Sequence, residues 1–135
     1  GSMASVPYHF FNQSRENGKI KVFEGSENFR RDFIFIDDVM EVVNYLFQSG
    51  DSGIFNCGTG HARSFMDMAN IFTQLVPGCD IEKIPFPDQL KGKYQTFTEA
   101  DMTALKESGL NHRFLSLEEG MGKYIGGLKS SNGYF

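Results

Sequence analysis

Tryptophan is absent from this 135-residue chain, cysteine occurs twice and histidine three times. Cys57 and Cys79 form no C-x-x-C pair, and no histidine is spaced to complete a ligand set with them, so neither a disulfide scaffold nor a metal site is indicated. Two lone cysteines suit a reducing compartment. Long apolar runs are missing as well. Nothing approaches the roughly 18 apolar residues of a membrane span, and the N-terminus carries neither the charged nor the apolar stretch of a secretory signal. The expectation is a soluble, cytoplasmic protein without a membrane partner. An excess of positive charge is also lacking: 13 Lys and Arg against 17 Asp and Glu leave a net charge of −4. No broad cationic field exists to hold nucleic acid, although a small basic pocket is compatible with that balance.

What the chain does have is an apolar fraction of 40% that includes 14 Phe, enough for one core. The length is that of a single domain. No repeat or low-complexity tract interrupts it, and the 15 glycines fall at many junctions between short elements. The pattern is that of a small α/β lobe with about five helices. Residues 5–16 read as a helix, with Ser5 placed to cap it and Asn17-Gly18 to stop it. Ile20 to Phe23 and Asp32 to Ile36 read as strands, joined by a loop from Glu24 to Arg31. Asp37 or Asp38 can cap the next helix, whose Val39, Val42, Val43 and Leu46 make one face strongly apolar, and Gly50 ends it. Gly53 to Cys57 is a third strand candidate. Gly58-Thr59-Gly60 follows, then a helix capped by Ser64 with Asp67, then a strand near Ile81 to Ile84. These last elements form one βαβ unit, so the strands at 53–57 and 81–84 are expected to run parallel. Two further helices are predicted, capped by Thr98 with Asp101 and by Ser116 with Glu119. The lobe spans residues 1–129, and residues 130–135 are expected to form a flexible tail.

Glycines between a strand and a helix let a phosphate approach the helix N-terminus, which invites a dinucleotide-binding reading of Gly58-Thr59-Gly60. The fingerprint is incomplete, because Arg63 stands where a third glycine is needed. A plain glycine turn feeding a helix is the simpler account. Arg30 and Arg31 could grip phosphate oxygens in two-pronged fashion, yet Glu24, Glu27 and Asp32 offer them ordinary salt-bridge partners. Asp37 and Asp38 are better explained as helix-start residues than as an acid–base pair. His9, His61 and His112 have no nucleophile motif nearby. His9 could face a ligand or simply pack, and Tyr94, in a polar loop, could clamp a ligand or only line a rim.

Taken together, several segments carry a resemblance. They are Gly1 to Val6, Phe23-Glu24-Gly25-Ser26-Glu27-Asn28-Phe29-Arg30-Arg31-Asp32-Phe33, Gly53 to Gly60, Ile84 to Asp88 and Leu90-Lys91-Gly92-Lys93-Tyr94-Gln95. Over nearly its whole length the chain resembles the C-terminal part of the ADP-L-glycero-D-manno-heptose 6-epimerase family, among the extended short-chain dehydrogenases/reductases. The Arg31-Asp32-Phe33 and Asn56 to Gly60 segments are shared across that superfamily; the loops at 23–29 and 91–95 are particular to the family. The resemblance implies a small substrate-binding lobe, with ADP-heptose bound by Ser2, His9, Phe23, Glu24, Gly25, Ser26, Arg31 and Tyr94. It implies an isomerase that oxidises C6 of the heptose transiently with NADP, supplies lipopolysaccharide core precursors and forms homo-oligomers. The family's glycine-rich NADP loop, its Tyr-x-x-x-Lys and its second catalytic Lys would all precede Gly1. No catalytic residue is therefore expected here, and the isolated chain is expected to be inactive. The rival readings are a lobe of another nucleotide-sugar epimerase or dehydratase, and a non-catalytic binding or oligomerisation module.

Overall fold

A computed structural model describes residues 5–50, 58–90 and 97–132 of the chain. Helix α1 (Ser5–Asn17) carries Pro7 in its first turn, where a missing N–H costs nothing, and buries Phe10 and Phe11. Gly18, at φ 70°, then turns the chain into strand β1 (Lys19–Phe23). β1 lies parallel to β4 (Asp80–Ile84) in a register that pairs Ile20 with Ile81 and Phe23 with Ile84. A parallel pair needs a long crossover, and this one contains helix α2 (Ile36–Ser49) and helix α3 (Phe65–Leu75). The strand expected at 53–57 lies outside the described residues. Among the described residues, the parallel partner of β4 is β1.

The main core forms where α3 crosses the sheet. Met68, Ala69, Ile71 and Phe72 of α3 pack with Ile20 and Val22 of β1 and with Met121, Ile125 and Leu128 of helix α5 (Leu117–Asn132). A smaller cluster joins Val42 of α2 to Met102 and to Leu105 of helix α4 (Thr103–Glu107).

Between residues 30 and 36 the chain departs from expectation. Pairing is confined to β2 (Arg30–Arg31), antiparallel to β3 (Arg63–Ser64), with Arg31 opposite Arg63. Past Arg31 the backbone stays extended at Phe35 but enters no ladder among the described residues; Phe33 and Phe35 turn their rings toward the main core. Nor do Asp37 and Asp38 cap α2. Phe35 is the N-cap, without a side-chain hydrogen bond, and both aspartates fall in the first turn, where the helix dipole favours them. Asp37 accepts from Lys123 Nζ at 2.7 Å. Asp38 is buried, because its carboxylate meets His112 Nε2 at 2.7 Å and accepts the Leu115 amide at 3.0 Å.

The capping of the later helices is mixed. Ser64 and Asp67 form a reciprocal capping box at α3, and Ser116 and Glu119 do the same at α5. Thr98, expected as a cap, gives its N–H to Arg30 O beside a bridge between Arg30 and Phe97. The helix that follows starts only at Thr103, which donates both N–H and hydroxyl to Asp101. Finally, α5 runs through Ser130 to Asn132, where a tail is expected. Within this last stretch the Ser130 and Ser131 hydroxyls donate back to the Gly126 and Gly127 carbonyls.

Candidate functional site

A cavity of about 200 Å³ opens between α1, the C-terminal end of β1 and the start of α3. Val6 and Phe10, one helical turn apart on α1, give one wall; Phe23, Phe29, Phe65 and Ile84 give most of the rest. The slot is apolar and aromatic. Phe86 fixes two of its rings, meeting Phe23 edge-on with centroids 5.3 Å apart and stacking on Phe29 at 5.3 Å.

A tight turn shapes its rim. Gly25 adopts φ 84°, a left-handed conformation that side chains disfavour, and so reverses the chain into a 3-10 turn over Ser26–Asn28. The turn is held by Asn28 N–H to Gly25 O at 2.9 Å and Glu24 N–H to Ile84 O at 2.8 Å. It drives Ser26 into the cavity wall, where the residue is 2% exposed and its Oγ has no hydrogen-bond partner among the described residues. A buried hydroxyl left in that state costs stability, so a polar atom entering the slot would find a ready donor and acceptor.

Of the residues expected to bind substrate, Phe23 and Ser26 line this slot, while Glu24 and Gly25 build the turn at its rim. Arg31 stands next to it, its guanidinium carbon 5.6 Å from the centroid of the lining Phe65 ring. His9 is exposed on α1 and outside the lining. Ser2 and Tyr94 lie outside the described residues. Sequence reasoning passed over Phe65, Phe29 and Lys21, all of which line the cavity. Phe65 had a usable signal: an aromatic directly after a Ser cap sits at the mouth of its helix, near whatever the helix start faces.

The glycine turn is closed to phosphate. Asp32 Oδ1 accepts the Thr59 amide at 2.9 Å and its hydroxyl at 2.6 Å, and Oδ2 accepts the Gly60 amide at 2.8 Å. An internal carboxylate thus occupies the donors that a dinucleotide would need, and the turn does not fit that cofactor. Arg63 is likewise engaged. It forms a two-pronged pair with Glu118 at 2.8 and 2.9 Å and reaches Asp67 at 3.3 Å. Glu118 is held below its ordinary pKa by that pair. A second cavity, of about 370 Å³, is lined by His61, Arg63 and Arg113, but Glu119 holds Arg113 as Glu118 holds Arg63, so its cations are already neutralised. No cluster of three or more His, Cys, Asp or Glu able to hold a metal occurs among the described residues.

The fold is shared with part of the solved nucleotide-sugar epimerases and dehydratases. The Helicobacter pylori ADP-L-glycero-D-manno-heptose-6-epimerase superposes with a TM-score of 0.77 at 21% identity, over 90% of this chain and 37% of that one. A dTDP-glucose 4,6-dehydratase from Bacillus anthracis, solved in complex with NAD, gives 0.76 at 13% identity, over 99% of this chain and 41% of that one. The sequence then narrows the class. The chain is 48% identical over 135 residues to the ADP-L-glycero-D-manno-heptose-6-epimerase of Brachyspira hyodysenteriae, and is a relative of that enzyme. The match takes in 99% of this chain and 42% of the relative, so the chain spans less than half the length of the curated protein it resembles. No protein-family model matches it.

Proposed function

We propose that these residues form the substrate-binding portion of an ADP-heptose 6-epimerase. In this reading the apolar slot takes the flat base of the nucleotide, Ser26 Oγ bonds a polar atom on the base edge, and Arg31 holds the pyrophosphate. The observation that carries it is an aromatic-walled cavity lined by Phe23 and Ser26, with Arg31 beside it over the lining Phe65 ring, in a chain 48% identical to such an enzyme. A guanidinium matches paired phosphate oxygens, and a flat aromatic slot matches a purine.

The activity assigned to the longer enzyme interconverts ADP-D-glycero- and ADP-L-glycero-D-manno-heptose by transient oxidation at C6, feeding lipopolysaccharide core synthesis in the cytoplasm. NADP would supply hydride chemistry, and its site is assigned to polypeptide beyond these residues, since the glycine turn here is filled by Asp32. No Tyr-x-x-x-Lys occurs in the sequence, so these residues bind and orient but supply no catalytic pair. A homo-oligomer is assigned to the longer enzyme on the same resemblance.

Calorimetric titration of the 135-residue chain with ADP, UDP and dTDP tests the reading. ADP is expected to bind best. Arg31→Ala should weaken ADP about ten- to a hundred-fold, since a hydrogen bond to a charged group contributes about 1.5–3 kcal/mol. Arg30→Ala, on the opposite side of an extended chain, should do much less. Equal losses in the two folded variants would replace the site with a diffuse basic surface. Preference for a pyrimidine nucleotide would favour another sugar-nucleotide enzyme.

A further inference from the structure

We infer that Phe65 is a positioning residue for Arg31: its ring holds the guanidinium where it can meet the pyrophosphate, while the same ring walls the slot for the base. The inference rests on the functional reading above and adds to it a residue not expected from sequence. Three observations carry it. The Arg31 guanidinium carbon lies over the Phe65 ring, 5.6 Å from its centroid, within the range in which a cation is attracted to an aromatic face. Phe65 also lines the cavity that holds Ser26. And the ring is itself fixed. Phe65 N–H donates to Phe29 O at 3.1 Å, the Ser64 capping box sets the helix start, and Phe33 meets the ring edge-on at 5.5 Å.

The short ladder explains why such a support matters. Arg31 faces Arg63 across β2 and β3, and Arg63 is held by Glu118 and Asp67. Arg31 instead turns back along its own strand, with Nη1 donating to Arg30 O at 2.8 Å. A long side chain loses much rotamer freedom when it grips a ligand, and a ring that already restrains it removes part of that cost before binding. Phe65 therefore links the base end of the slot to its phosphate end.

The test uses NMR of the Arg31 side-chain Nε–Hε group in the 135-residue chain, with ADP and adenosine titrations beside it. Without nucleotide, the Arg31 signal should carry a ring-current shift that is lost in Phe65→Leu and Phe65→Met and kept in Phe65→Tyr. ADP affinity should fall about three- to ten-fold in Phe65→Leu and recover in Phe65→Tyr. The ratio of ADP to adenosine affinity should fall with it, and Phe65→Leu should leave that ratio unchanged in an Arg31→Ala background. An Arg31 signal indifferent to either folded aliphatic variant, or losses that simply add in the double variant, would overturn the inference while leaving the nucleotide site intact. A wild-type chain that binds neither ADP nor adenosine would instead overturn the functional reading, and with it the pyrophosphate role of the Arg31–Phe65 pair. The shift itself would still report the contact. Phe65→Met keeps the bulk of the side chain without a π face, so a Leu variant that fails to fold does not end the test.

Discussion

Asp32 closes the turn at Gly60 from within: its Oδ2 accepts the Gly60 amide at 2.8 Å and the Ala100 amide at 3.1 Å, while Oδ1 takes both donors of Thr59. Three segments distant in sequence meet on one carboxylate. Gly58 lies so close that a Cβ there would stand 2.5 Å from Asp32 Oδ2 and 2.7 Å from the Ala100 methyl.

Asp32→Ala is therefore expected to be among the most damaging single changes in the chain. It would strand three backbone amides, each costing about 1–3 kcal/mol when its partner is removed. Gly58→Ala should damage the same junction by pushing the carboxylate off its donors. Urea midpoints check both. A double variant no worse than the worse single variant would show that they act on one junction, whereas additive losses would contradict it.

That junction also marks what was legible in advance. Ser64 with Asp67 and Ser116 with Glu119 were readable because a capping box is local, its partners three residues apart. Helix stops at Gly18 and Gly50 were readable for the same reason. Asp32 and Asp38 were not, since their partners lie 27 to 77 residues away and no local pattern distinguishes a buried carboxylate from a capping one. The end of β2 at Arg31 likewise depends on where partners run out, which β propensity does not encode. For the site, the turn residues Gly25 and Ser26 and the cation Arg31 came from a family resemblance, while Phe65 and Phe29 come from chain packing that brings α3 against the turn.

Gly120 gives the sharpest packing prediction. A Cβ at this position of α5 would overlap the Phe35 ring, which lies directly on the helix backbone. Elsewhere in a helix Gly→Ala is stabilising, by about 0.8–1 kcal/mol. Here Gly120→Ala should destabilise by several-fold more than that gain, and Phe35→Leu should partly suppress the defect by vacating ring volume. Thermal melts of the two single variants and the double variant decide. A stabilised Gly120→Ala would mean that the ring does not sit on this helix.

Helix α2 predicts a surface property. Val42 is buried, but Ile36, Met40, Val43 and Phe47, spaced four, three and four apart, are 69%, 56%, 52% and 86% exposed. They form an exposed apolar stripe that includes Val43, which the sequence groups with Val39, Val42 and Leu46 on one face; of that predicted face Val42 is buried and Val43 is exposed. Contiguous apolar surface of this kind binds hydrophobic dyes and favours self-association. Val43→Lys with Phe47→Lys should lower dye fluorescence several-fold and sharpen sedimentation without lowering the melting temperature, since neither residue is in the core. Unchanged dye binding in the double variant would place the apolar surface elsewhere.

Glu119 predicts a pH dependence with a definite sign. Its carboxylate accepts two hydrogen bonds from the Arg113 guanidinium, at 3.0 and 3.1 Å, and one from the Ser116 amide at 2.9 Å. These partners, Arg113 foremost, lower its pKa from an ordinary 4.5 to about 2. The unfolded chain therefore takes up this proton first as the solution is acidified. The contribution to stability is complete above the ordinary carboxylate value and is lost as pH falls through about 2. Glu119→Gln should then melt below the wild type by a constant margin above about pH 5, and the two curves should converge as pH falls toward 2. Because the pair is open to solvent, the margin should also shrink in high salt. Arg113→Ala should show the same convergence with a smaller margin, since the Ser116 amide still holds the carboxylate. A margin that widens in acid would have the wrong sign for a depressed carboxyl and would remove Glu119 as the acid-sensitive clasp of α5.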